Sequence, residues 1–205
     1  MTARDYLEFI VSQIRSTVVA TVDDAGLPVT CVIDMMYADA DGLYFLTAKG
    51  KRFYQRLKAK GVLALSGKKG EDTMHCTAVS IRGRVREIGT DRLPLLFERA
   101  PYMCEIYPTE TSRRALTVFQ IYEGSGEWFD LSKKPIERDS FTFGGAARAA
   151  DGYHVTDRCI GCGACLEVCP QRCIDLTGKA VIRQENCLHC GGCAEVCPVG
   201  AVKRR

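Results

Sequence analysis

Between residues 159 and 198 the chain carries one four-cysteine phrase twice. Cys159, Cys162, Cys165 and Cys169 lead into Pro170, and Cys187, Cys190, Cys193 and Cys197 lead into Pro198. Both copies read C-x2-C-x2-C-x3-C-P, the spacing that suits a pair of 4Fe-4S clusters. Three thiolates on one tight loop reach three corners of a cubane. The fourth is carried off by the start of a helix and serves the other cluster. The spacing therefore predicts one cluster held by Cys159, Cys162, Cys165 and Cys197, and another held by Cys187, Cys190, Cys193 and Cys169. Each proline stops the short helix from winding on. Gly161, Gly163, Gly191 and Gly192 let the backbone approach inorganic sulfur. Disulfides or zinc knuckles are the alternative, but zinc sites use separate C-x2-C pairs rather than four-cysteine runs ending in proline.

The two copies align beyond their ligands, so a pseudo-two-fold unit is expected. Cys173 falls opposite Ala201 and is expected as a small core side chain rather than a ninth ligand. His189 lies between two ligands and is expected to face solvent. Tyr153–Thr156 and Ala180–Arg183 are predicted strands, with a turn at Thr177–Lys179. Residues 153–205 resemble a bacterial two-cluster ferredoxin over their whole length.

The chain has 205 residues, room for one ordinary domain and one small one. A net charge of +3 gives no nucleic-acid character. No apolar run is long enough to span a membrane, and the first residues show no signal-peptide core. Nine of the twelve cysteines lie in the cluster region, with Cys31, Cys76 and Cys104 scattered, which points to a reducing cytoplasm.

Ahead of the cysteines, Thr2–Arg15 is predicted as an amphipathic helix. Short β segments follow at Ser16–Val22, Val29–Tyr37, Leu43–Thr47 and Val62–Ser66, with a helix over Lys51–Lys60. Cys76–Ile88 is long enough for a strand bent at Gly83. Asp91–Ile106 is predicted helical, with Asp91 as cap. Leu116–Tyr122 and Gly126–Leu131 are expected to form a hairpin. The fold class is thus α+β: a small barrel with flanking helices, then an α+β cluster domain with an internal repeat.

Ser16–Val22, Gly26-Leu-Pro28, the run Gly42–Leu57 and Val62–Leu65 resemble, in order and spacing, the pyridoxamine 5'-phosphate oxidase-like family of FMN-binding split barrels. The resemblance implies a split barrel over residues 1–140, a connector over 141–152 and the cluster domain over 153–205. It also implies a homodimer with FMN at the subunit interface and a phosphate contact from Lys51. Thr47, Lys49 and Arg52 join Lys51 at a strand end and helix start, where free N–H groups favour an anion. Without the resemblance, a solvated basic turn explains those charges. The strand Thr30–Asp34, ending in Asp34, is expected to line the isoalloxazine. Arg82, Arg84 and Arg86 share one strand face and are expected to be solvated. The arginine-rich close of true pyridoxamine phosphate oxidases is missing, which argues against vitamin B6 synthesis.

Together these readings give a flavin-dependent oxidoreductase with built-in electron transfer. An external redox partner protein, two 4Fe-4S clusters and FMN would act on a small organic substrate. A non-enzymatic carrier or redox sensor is the alternative. Haem in the barrel is a third, without a visible axial ligand. No G-x-G-x-x-G follows a strand, so a Rossmann nicotinamide site is unsupported.

Overall fold

A computed structural model describes residues 1–148 and 151–205; Ala149 and Ala150, part of the expected connector, lie outside the described residues. The chain forms two compact units that interleave in sequence. The first comprises Met1–Gly70, Ala78–Trp128 and Ser140–Ala147, and the second Glu71–Thr77, Phe129–Asp139 and Arg148–Arg205.

The first unit opens with helix α1 (Ala3–Phe9), capped reciprocally by Thr2 and Asp5. The Asp5 N–H donates to Thr2 Oγ1 at 3.3 Å, and the Thr2 N–H to the Asp5 carboxylate at 2.6 Å. The expected single helix loosens into a π turn over Ile10–Ile14 and ends where Arg15 turns left-handed at φ 60°. Strands β1 (Ser16–Val22) and β2 (Pro28–Asp34) follow as an antiparallel pair. Their turn is fixed by the Asp23 carboxylate, which accepts from the N–H groups of Ala25 and Leu27 at 2.9 Å each. Strand β3 (Tyr37–Asp39), β4 (Gly42–Ala48), helix α2 (Arg52–Lys60), β5 (Val62–Lys69) and β6 (Thr77–Gly89) come next.

The predicted helix over Asp91–Ile106 is broken. Helix α3 (Leu93–Arg99) stops short of Pro101, and α4 (Met103–Ile106) and α5 (Glu110–Arg113) are single turns on either side of Pro108. The expected hairpin after residue 116 is one 15-residue strand, β7 (Leu116–Asp130), and β8 (Glu137–Phe143) pairs with it. Gly124 and Gly126 sit inside β7 because neighbours crowd them. A Cβ on Gly126 would stand 2.4 Å from the Phe141 ring, so these glycines mark close approach rather than a turn. Gly83 in β6 has the same cause, with Glu123 O 2.5 Å from where its Cβ would be.

The eight strands form one sheet in the order β2-β1-β5-β6-β7-β4-β3, with β8 on β7. Strand β4 lies inside the sheet and is buried along most of its length, while β1 alternates between buried and open positions. Tyr6, Leu7 and Ile10 of the N-terminal helical segment pack with Phe45, Phe53, Phe119 and Phe141 in the main core. Tyr6 stacks on Phe141 with ring centres 4.5 Å apart. Tyr44, Leu96, Leu116 and Val118 belong to a second apolar cluster of the same unit.

The second unit repeats a strand–helix–strand phrase: β9 (Tyr153–Val155), α6 (Ala164–Glu167) and β10 (Ile174–Thr177), then β11 (Lys179–Ile182), α7 (Gly192–Glu195) and β12 (Val202–Arg204). The outer strands β9 and β12 pair antiparallel, and so do the inner strands β10 and β11, about the turn at Gly178. Each short helix starts from a left-handed glycine, Gly163 at φ 80° and Gly191 at φ 86°.

Candidate functional site

The repeat folds the eight cysteines into two small cavities. Cys159, Cys162, Cys165 and Cys197 line one; Cys169, Cys187, Cys190 and Cys193 line the other. Each set draws three sulfurs from one loop and the fourth from the opposite half. No carboxylate lines either cavity. A cubane asks for this arrangement, since each thiolate takes a different iron.

The fourth cysteines are electrostatically distinct. The backbone N–H of Ala201 donates to Cys197 Sγ at 3.1 Å and holds that thiol below its ordinary range. Burial pushes Cys169 up, but the backbone N–H and thiol of Cys173 and the N–H groups of Gln171 and Arg172 outweigh it, and its pKa falls. Burial raises the thiols of Cys165 and Cys193. Cys173 is 2% exposed and packs in the small core with Ile174 and Ile182, as expected. It also lines the second cavity, with its sulfur 3.5 Å from Cys169. Burial pushes Cys173 up to about 12, so it stays protonated and can donate to Cys169. The sequence signal for that role was the thiol standing where the other half has only the methyl of Ala201.

His189 does not face solvent freely. Its ring meets the Arg138 guanidinium, which lies over Phe129 at 5.3 Å from the ring centre, and meets Tyr153 edge-on.

In the first unit, the turn from β4 into α2 gathers the other expected site residues. Lys51 is the N-cap of α2 in extended conformation and gives no side-chain cap, so the first-turn N–H groups are open to an outside acceptor. Lys49, Lys51 and Arg52 are exposed. Thr47 is 2% exposed, and its hydroxyl has no hydrogen-bond partner among the described residues. Burial raises the Cys31 thiol on β2 against the pull of Arg56 and Lys51, so Lys51 lies close enough for its charge to act on that strand. Arg56 also donates to Thr21 Oγ1 at 2.7 Å. Asp34 ends β2 with its carboxylate already engaged, accepting from Ser16 Oγ at 2.6 Å and Tyr102 Oη at 2.5 Å. Strand β2 ends the sheet order, so β1 is its one neighbour and its other backbone edge is unpaired in the sheet. Arg82, Arg84 and Arg86 are exposed on β6, and their partners are Ser125, Glu123 and Gln120 on β7.

Residues 158–201 match the 4Fe-4S dicluster domain family. Iron–sulfur cluster binding, and with it a redox role, follows from that match. A NimC/NimA family protein of Clostridium acetobutylicum has a similar structure at a TM-score of 0.57 and 16% identity, covering 68% of this chain and 90% of that one. A C. acetobutylicum protein related to general stress protein 26 of B. subtilis, of the pyridoxinephosphate oxidase family, aligns at TM-score 0.51 and 17% identity over 67% of this chain and 94% of its own. The first unit is a split barrel. A heme binding protein of Mycobacterium smegmatis shares the fold at TM-score 0.54 and 12% identity, over 69% of this chain and 58% of its own. No curated protein sequence matches the chain. Among the described residues, no helix is long and apolar enough to cross a membrane.

Proposed function

We propose that this protein is a flavin-dependent oxidoreductase that passes electrons between an external one-electron donor, two 4Fe-4S clusters and FMN, and reduces a small organic acceptor. The observation that carries the reading is the pairing, in one chain, of two four-thiol cavities with a split barrel whose β4–α2 turn is built to take an anion. When bound, the clusters move single electrons and the flavin exchanges pairs for singles.

The protein's own residues divide the work. Cys159, Cys162, Cys165 and Cys197 hold one cluster, and Cys187, Cys190, Cys193 and Cys169 the other. The Ala201 N–H and the Cys173 thiol stabilise charge on the crossing cysteines. At the barrel, the uncapped start of α2 takes the FMN phosphate, with Lys51 as its main counter-charge and Lys49 and Arg52 beside it. The Thr47 hydroxyl gains the acceptor it lacks in the protein alone. Strand β2 offers the isoalloxazine its unpaired backbone edge, and Asp34 serves by bracing the end of that strand through Ser16 and Tyr102.

Val18, Val32 and Val62 leave 46%, 67% and 43% of their surface open on the β2-β1-β5 side, and Val18 lies across from Val32 in the register. That apolar face supports a homodimer through the barrel. Eight cysteines kept as thiolate ligands rather than disulfides support a reducing cytoplasm.

The test is anaerobic purification followed by an absorption spectrum and an iron count. The expected protein is brown with flavin absorption beneath, carries about eight irons per chain, and turns over a small acceptor beyond one flavin equivalent. Full iron loading without flavin absorption would overturn the reading. Flavin that reoxidises once and stops would reduce the protein to a carrier or sensor.

A further inference from the structure

The two halves of the repeat differ at two strained backbone positions. Gly161, at φ 69° between Cys159 and Cys162, is matched by His189 at φ 55° between Cys187 and Cys190. Gly200, at φ 57° three residues after Cys197, is matched by Arg172 at φ 47° three residues after Cys169. A side chain in the left-handed region costs energy that glycine avoids, and such strain gathers at working surfaces. Both substitutions fall beside the Cys169/Cys187/Cys190/Cys193 cavity.

Arg172 belongs to an open cleft of about 460 Å³. Lys133, Lys134 and Arg183 line it too, and no carboxylate does. Lys133, Lys134 and Arg172 are exposed, and Arg183 pairs with Asp175 outside the lining. Pro170 and Gln171 line this cleft and the second cysteine cavity alike, so one stretch of backbone separates them. That wall is braced, because the Ile136 N–H donates to Gln171 Oε1 at 2.8 Å and the Asn186 amide donates to Ile136 O at 3.1 Å.

We propose that the cleft is the docking surface for an acidic one-electron carrier protein, which delivers its electron to the cluster beside Cys169. The proposal rests on the cluster assignment above. Each encounter oxidises the carrier by one electron and reduces the cluster by one, and no bond forms or breaks. A protein partner is favoured over a small anion because the lysines stand exposed around a wide mouth. Opposite charge there steers a large acidic body and sets its orientation.

The test uses cluster-loaded protein under anaerobic conditions and an acidic flavodoxin as probe. Binding of oxidised flavodoxin is measured by calorimetry, and cluster bleaching by photoreduced flavodoxin is followed by stopped flow, at low and high salt. The wild type should bind and react faster at low salt. The double variant Lys133→Glu with Lys134→Glu should lose about tenfold or more in both measurements and lose the salt dependence. Arg172→Gly should lose a smaller part in the same direction. It keeps a backbone that glycine already adopts at position 200 and therefore folds. Bleaching by the methyl viologen radical cation should not slow in any variant. Unchanged flavodoxin binding in the lysine variant would overturn the proposal. So would dithionite reduction slowed as much as that by flavodoxin, which would mark a small-anion pocket. A wild type that never bleaches with viologen would sink the cluster assignment itself, and this inference with it.

Discussion

The two units hold themselves together by different means. The barrel buries Tyr44, Phe45, Phe119, Leu7, Ile10, Met35 and Leu96 almost completely, enough large apolar surface to fold without help. The apolar side chains that the cluster unit buries are Ile174, Ala180, Ile182, Ala201 and Val202, besides cysteines. Its helices are four residues long and its strands three or four. Helices of one turn are not stable alone. The barrel is a fold that offers a site, whereas in the cluster unit the site supplies much of the fold.

Iron removal is the strongest way to break that contrast. Chelation under anaerobic reducing conditions should abolish amide protection across β9 to β12 while β1, β4 and β7 keep theirs, as read by hydrogen exchange. Lasting protection in β10 and β11 would show that the small apolar core suffices. A sharper probe is Lys51→Ala, which removes a counter-charge but no core contact. FMN affinity should fall about tenfold, since a hydrogen bond to a charged group contributes roughly 1.5–3 kcal/mol. The melting temperature of the flavin-free protein should stay put, because the barrel does not need its ligand to fold. Unchanged flavin content would remove the phosphate role.

The smallest effect concerns polar bracing inside the barrel. Burial works against the Asp39 carboxylate, yet Arg92 at 2.6 Å and Tyr44 and the Asp41 N–H, both at 2.9 Å, bring its pKa below the ordinary value. A depressed carboxylate stabilises the fold above its unfolded pKa of about 4, and that share disappears as pH falls through the lower folded value. Asp39→Asn should therefore cost about 1 kcal/mol near neutral pH, with the gap closing in acid denaturation profiles. A pH-independent difference would assign the loss to packing instead.

Much of this could be read along the chain, because the signals were local. The crossed cysteine sets follow from a spacing that no other metal chemistry fits as well. Strands β1, β4 and β5 follow from β-branched and apolar runs between turn residues. What failed depended mostly on residues distant along the chain. Gly124 and Gly126 look like a turn, but here they admit Phe141 and Phe143 from β8 against β7. Asp91 looks like a helix cap, but the helix starts at Leu93 with Pro94 in its first turn, and Pro101 ends it early. His189 looks solvent-facing, since nothing near it in sequence announces Arg138, 51 residues earlier. Nor does anything near Asp34 in sequence announce Tyr102, 68 residues away, which donates to its carboxylate.

Sequence by itself determined which four cysteines line each cavity, because their spacing encodes the reach of each thiol. It also determined where strands β1, β4 and β5 lie along the chain, because turn residues and apolar runs act over a few positions. Only the tertiary structure decided which side of the repeat gathers positive charge. Lys133 and Lys134 stand far along the chain from Arg172 and Arg183, and only folding lines one cleft with all four.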